Sequence, residues 1–128
     1  MQFAIPNLRH LRVFLEVARH RSISKAAPRV FLSQPAITQA IGQLETLLDT
    51  ELFERHSNGM FMTSAGKVWN TRVLRCIDYL ERGLRSALRG SPGQSRATSL
   101  LPLLTTTQLR ALIAVTENHS FSVASRQL

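Results

Sequence analysis

The 128 residues carry 16 lysines and arginines against 8 acids, a formal net charge of +8, with 44% hydrophobic residues and a single cysteine. That balance suits one ordinary domain, or a small domain with an appendage, and it excludes a wholly disordered chain and an intramolecular disulfide framework. The positive excess points to a polyanionic partner such as nucleic acid or an anionic membrane. Cys76 has apolar helical neighbours, which reads as a buried thiol in a reducing compartment. The opening "MQFAIPNLRH" lacks a secretory leader pattern and no segment approaches 18 apolar residues, so neither secretion nor membrane spanning is signalled and a cytoplasmic location is expected. A basic helix on a membrane surface is disfavoured because the apolar faces are claimed by a core and a dimer seam, so no membrane partner is expected.

Leu8, Leu11, Phe14, Leu15 and Ala18 recur at helical spacing and predict a first helix over Leu8 to Arg19, with Arg9, Arg12 and Glu16 elsewhere on its surface. Ser24 is the expected N-cap of a short second helix through Val30, with Pro28 close to its first turn. Ser33 caps a third helix, Gln34 to Leu48, in which Pro35 is tolerated near the start and Ile37, Ile41, Leu44 and Leu48 face a core. The period then changes. "LFER" and "MFMT" flank "HSNG", which predicts a small hairpin turning at Asn58-Gly59 in a type I' turn.

Thr63 caps a long fourth helix in which Val73, Ile77, Leu80, Leu84 and Ala87 step by alternating fours and threes, the seam of a coiled coil. Asp78 with Arg82, and Glu81 with Arg85, set acid before base at the supportive spacing. "GSPGQSRATS" is rich in Gly, Ser and Pro and reads as a flexible linker. The units expected are therefore residues 1–63, a winged helix-turn-helix; 64–89, a dimerising linker helix; 90–106, a flexible linker; and 107–128, treated below.

Three short helices, a two-stranded wing and a long helix make a mainly α winged helix-turn-helix whose third helix is the candidate reader of DNA. A reading helix needs an apolar face as anchor and short or amide side chains at its entry. Gln34, Thr38 and Gln39 supply these, since Gln pairs with adenine edges and Thr touches a thymine methyl or a phosphate. Ser33 and the exposed amides of that helix start suit a phosphate, Lys25 and Arg29 of the second helix are further phosphate candidates, and Arg55 sits at the wing base. The competing reading makes Arg55 a surface ion pair with Glu51 or Glu54, and the other polar residues a solvated face. Trp69 and Tyr79 are expected to pack. His10, His20, His56 and His119 have neither metal spacing nor a partnered nucleophile, so no catalytic residue, metal or cofactor is expected and the chain is read as no enzyme.

The segment "SISKAAPRVFLSQPAITQAIGQLETLLDTELFERHSNGMFMTSAG" resembles the DNA-binding domain of LysR-type transcriptional regulators. The resemblance covers about Leu8 to Arg89, and its specific parts are "SISKAA", "LSQPAIT" followed by "QLE", "LFER" and "TSAG". It implies that Gln34, Pro35, Thr38 and Gln39 take the reading positions, that Arg55 is the wing arginine, and that the long helix pairs antiparallel in a homodimer on double-stranded DNA. Basic residues are common in that family where this chain has Gln39, Gly42, Gln43 and Asn58, which implies weaker phosphate anchoring. Gly42 also costs the reading helix about 1 kcal/mol relative to alanine, and Pro28 replaces an ordinary helix former. The family's effector-binding domain is not among these residues, so no small-molecule effector is assigned.

A shift of 98 residues pairs Leu11, Arg12, Val17, Ser22, Ser24 and Ala26 with Leu109, Arg110, Val115, Ser120, Ser122 and Ala124. Residues 107–128 thus read as an incomplete second helix-turn-helix copy, with Leu109, Leu112, Ile113 and Val115 as its apolar side and Ser122 capping a second helix to Leu128. It lacks a reading helix, and the expectation is that it binds no DNA, the chain being a fragment of a longer duplicated regulator or a truncated one. A rival reading of the chain is a truncated protein-interaction or dominant-negative module pairing through the linker helix. An apolar partner groove would however favour apolar anchors over Gln34, Thr38 and Gln39.

Overall fold

The computed structural model describes residues 4–118 together with Ser122 and Arg126. Helix α1 (Leu8–His20) starts at Asn7, whose side chain accepts from the Arg9 amide, and stops where Arg21 turns into the left-handed region at φ 52°. Helix α2 (Ile23–Val30) is capped by Ser22, which accepts from the Lys25 amide, two residues before the Ser24 expected from sequence. Ser24 instead shares a hydroxyl contact of 2.9 Å with Ser22. The left-handed stop of α1 at Arg21 decides this: once Arg21 reverses the chain, Ser22 is the first residue that can present an acceptor to the new helix. Pro28 also lies deeper than expected, in the helix interior. Packing holds the helix despite the missing amide, since Ala26 is fully buried against the core.

Helix α3 (Gln34–Leu48) is capped by Ser33, which accepts from the Ala36 amide, and buries Ile37, Ala40, Ile41 and Leu44, while Leu48 is half-buried against the same core. Strands β1 (Phe53–His56) and β2 (Gly59–Met62) pair antiparallel with His56 opposite Gly59. The turn residues are therefore Ser57 and Asn58 rather than Asn58 and Gly59, and neither has positive φ, so no type I' turn forms. Gly59 serves another purpose. It stands at φ 138°, where a Cβ would come within 2.6 Å of the Arg21 carbonyl, and the next amide, that of Met60, donates to that carbonyl at 3.0 Å.

Helix α4 (Ser64–Ala87) begins with Thr63, whose hydroxyl accepts from the Gly66 amide and donates to the Glu51 carbonyl. Gly66 is pressed against the wing entry, since a Cβ there would lie 2.1 Å from the Leu52 carbonyl oxygen. The core joins α1, α3, β1 and α4 through Val13, Phe14, Val17, Ile37, Leu44, Leu52 and Val73, with the Phe14 and Phe53 rings 5.1 Å apart. Both expected ion pairs of α4 form, Asp78 with Arg82 at 3.0 Å and Glu81 with Arg85.

The stretch expected to be a flexible linker is instead a packed strap. A 3₁₀ turn (Gln94–Arg96), the one-turn helix α5 (Ala97–Leu100) and a second 3₁₀ turn (Leu101–Leu103) lead to helix α6 (Thr106–Asn118). Leu101 is buried, Leu104 and Leu109 pack on the core, and Arg12 of α1 donates to the Leu101 carbonyl instead of standing in solvent. Thr98 donates to Glu81, and the Thr106 hydroxyl accepts from the Leu8 amide while donating to the Pro6 carbonyl. Burial beside Arg9 lowers the pKa of both His10 and Arg12, desolvation being the larger cause.

Helix α6 has the bounds of α1 moved by 98 residues, and Thr105 and Gln108 cap it reciprocally, each side chain accepting from the other's amide. Its expected apolar side is divided: Leu109 and Val115 are half-buried, Leu112 and Ile113 exposed. The expected second helix to Leu128 lies outside the described residues apart from Ser122 and Arg126.

Candidate nucleic-acid interface

One open groove runs between the starts of α2 and α3 and the wing. Five features build it from local chemistry. The Ser33 cap and Pro35 fix the entry of α3, and its buried stripe turns the opposite face outward, so that Gln34, Pro35, Thr38 and Gln39 are all exposed in the groove. Lys25 arrives from the first turn of α2 and Arg55 from β1. Arg21 comes from the left-handed end of α1, with its guanidinium over the Phe61 ring at 5.2 Å. His56 meets the same ring edge-on at 5.4 Å. The entry to the wing is fixed from α3, because a Glu45 carboxylate oxygen accepts from the amides of Leu52 at 2.7 Å and Phe53 at 3.3 Å.

The charge pattern is one-sided. Arg21, Lys25 and Arg55 line the groove, with His20 and His56 that pair with Glu16 and Glu54 outside it, and among the described residues no carboxylate lines it. Arg55 forms no ion pair among the described residues, and Glu54 is engaged with His56 at 3.2 Å. The amide end of α3 adds a fixed partial positive charge on the same side. Thr38 donates its hydroxyl to the Gln34 carbonyl at 3.1 Å, which leaves its methyl group and an oxygen lone pair for a ligand. Long unpaired cations beside amide side chains can bind a polyanion and distinguish base edges along it.

Of the expected residues, the groove brings together Lys25, Gln34, Pro35, Thr38, Gln39 and Arg55, while Arg29 and Ser33 lie outside its lining. The Ser33 hydroxyl is occupied by the Ala36 amide at 3.3 Å. Arg21, His56 and Phe61 escaped the sequence reading, because their place depends on the wing folding back onto the end of α1. The one available signal was a long basic residue at the helix-ending position before Ser22.

The α4 stripe is spread over several environments. Val73 is buried in the chain's own core, Ile77 and Leu80 are half-buried against it, Leu84 is half-buried, and Ala87 is exposed. Val68, Leu74 and Tyr79 are exposed, so Tyr79, unlike the half-buried Trp69, does not pack within the chain. Cys76, expected to be buried, is half-buried, and that partial burial raises the pKa of its thiol. Among the described residues no three His, Cys, Asp or Glu side chains come together as a metal site, and no helix is long and apolar enough to cross a membrane.

The model of the bacterial regulatory helix-turn-helix protein, lysR family, matches residues 8–67. The chain is similar to the HTH-type transcriptional regulator GalR of Pseudomonas putida, with 38% identity over 90 residues, covering 70% of this chain and 22% of GalR. It is similar to the RuBisCO operon transcriptional regulator of Allochromatium vinosum, with 37% identity over 101 residues, covering 78% of this chain and 33% of that protein. Among solved structures it is similar to the CbnR DNA-binding domain in complex with DNA, with a TM-score of 0.60 and 34% identity, covering 64% of this chain and 95% of that one. The chain spans about a third or less of the length of the curated relatives described here.

Proposed function

Because the chain belongs to the lysR family of bacterial regulatory helix-turn-helix proteins, we propose that it is a sequence-specific transcriptional regulator that binds duplex DNA as a homodimer. On this reading the winged domain, residues 1–63, binds DNA through α3 and the wing, and α4 joins two copies. The protein works in the cytoplasm and catalyses no reaction. The observation that carries the reading is the groove itself: Gln34, Thr38 and Gln39 stand exposed beside three long cations, with no carboxylate in the lining among the described residues. Gln34 and Gln39 read base edges. Lys25 and Arg55 hold phosphates, Pro35 shapes the entry, and Arg29 and Ser33 have at most a peripheral part because they lie off the groove.

Selection of bound sequences from random duplex DNA, followed by a salt series, tests this. An enriched two-fold symmetric site with a steep salt dependence is expected. Gln39→Ala should then cost roughly 1 to 3 kcal/mol on the preferred site and relax preference at one base pair, whereas Arg55→Ala should weaken all sequences alike and lower the salt slope by about one. Equal losses on every sequence for both variants would remove the reading role of α3.

A further inference from the structure

Arg21 is strained, unpaired and aimed into the groove. Its backbone at φ 52° is a conformation that glycine adopts freely and that a long side chain disfavours. That alone distinguishes nothing, since Phe31 and Asp49 end α2 and α3 in the same region. What separates Arg21 is the company of its side chain and its carbonyl. The carbonyl receives the Met60 amide at 3.0 Å, which moors the wing to the end of α1. The guanidinium lies 5.2 Å from the centre of the Phe61 ring of the same wing. It enters no ion pair among the described residues, and it shares a carboxylate-free groove with Lys25 and Arg55. A cation held on an aromatic face keeps its N–H edge free for an anion and is ordered before the anion arrives.

We propose that Arg21 is a pre-oriented phosphate clamp, bridging the end of α1 and the wing to the sugar-phosphate backbone. This rests on the duplex-binding reading above and adds to it a contact that sequence reasoning did not assign. The backbone and side-chain roles of Arg21 separate cleanly in one substitution. Arg21→Gly keeps the carbonyl and suits the left-handed turn better, so a purely structural role predicts a raised melting temperature with unchanged binding.

The experiment measures the affinity of the whole chain for random-sequence duplex DNA over a salt series, for the unaltered protein, Arg21→Gly, Arg21→Lys and Phe61→Leu, with thermal melts alongside. The proposal expects Arg21→Gly to melt at the same or a higher temperature yet bind more weakly, with a salt slope shallower by about one phosphate contact. Arg21→Lys is expected to restore the slope only in part, and Phe61→Leu to weaken binding with little change of slope, because it frees the guanidinium without removing its charge. An Arg21→Gly protein with an unaltered affinity and slope overturns the clamp and leaves the duplex-binding reading standing. An unaltered protein that fails to bind any duplex overturns both.

Discussion

Phe31 is 92% exposed and sits at φ 55°, closing α2 in a conformation that a bulky side chain adopts only at a cost. Since its side chain makes little use of the fold, Phe31→Gly exchanges roughly 1 to 2 kcal/mol of left-handed strain for the smaller entropic penalty of glycine. The expected outcome is a gain of roughly 1 kcal/mol, read as a melting temperature a few degrees higher. An unchanged or lower melting temperature would mean that the Phe31 ring is held by something the single chain does not show. Glu45, near the end of α3, shows the opposite economy. One carboxylate on α3 satisfies two amides at the start of β1, which explains why an acid stands in "QLE" directly after the buried Leu44. Sequence alone displayed that motif without its reason, because its partners, Leu52 and Phe53, become neighbours only after α3 ends and the chain doubles back.

Gly66 and Gly83 both lie inside α4, where glycine is normally about 1 kcal/mol worse than alanine. Their surroundings differ. Nothing stands within 4 Å of a Cβ at Gly83, whereas at Gly66 the Leu52 carbonyl would be only 2.1 Å away. That carbonyl cannot retreat freely, because it accepts the Thr63 amide at 3.0 Å. Gly83→Ala should therefore stabilise the fold by about 1 kcal/mol, while Gly66→Ala should destabilise it by roughly 1 to 3 kcal/mol despite the better helix former. Denaturant melts of the two proteins decide it, and a stabilised Gly66→Ala would refute the close approach. At this scale much was legible. The Ser33 cap, the Ile37, Ile41 and Leu44 stripe and the outward Gln34, Thr38 and Gln39 followed from period and capping alone, since both are local to one helix. The N-cap of α2 and the turn of the wing were misplaced because Arg21 settles both: it ends α1 before Ser22, and its carbonyl claims Met60 and requires Gly59 beside it.

For the whole molecule, a stripe of alternating four and three spacing has the same appearance whether its cover is a second copy, another helix of the same chain, or both. In α4 the chain's own core takes Val73 and much of Ile77 and Leu80, leaving Leu84 and Ala87 as the less covered end of the stripe. If α4 pairs along this end, Leu84→Asp should raise the dimer dissociation constant by about two orders of magnitude or more, since two leucines are lost at roughly 1.5 to 3 kcal/mol each. Tyr79→Glu should leave the dimer intact. Analytical ultracentrifugation giving the reverse pattern would move the interface to the exposed Val68 and Tyr79 side. The strap was likewise hidden from sequence, because Gly, Ser and Pro describe how a segment turns and not whether Leu101 and Leu104 find a surface. Its attachment also sets an order of events. Thr106 meets Leu8 across 98 residues and Pro6 across 100, whereas the groove is assembled within residues 20–61. Closing the longer loop carries the larger entropy cost and gains its reward only when α1 is already in place. On this ordering the groove closes among residues 20–61, and the strap is expected to dock afterwards onto a domain that α1, α3 and α4 have already formed.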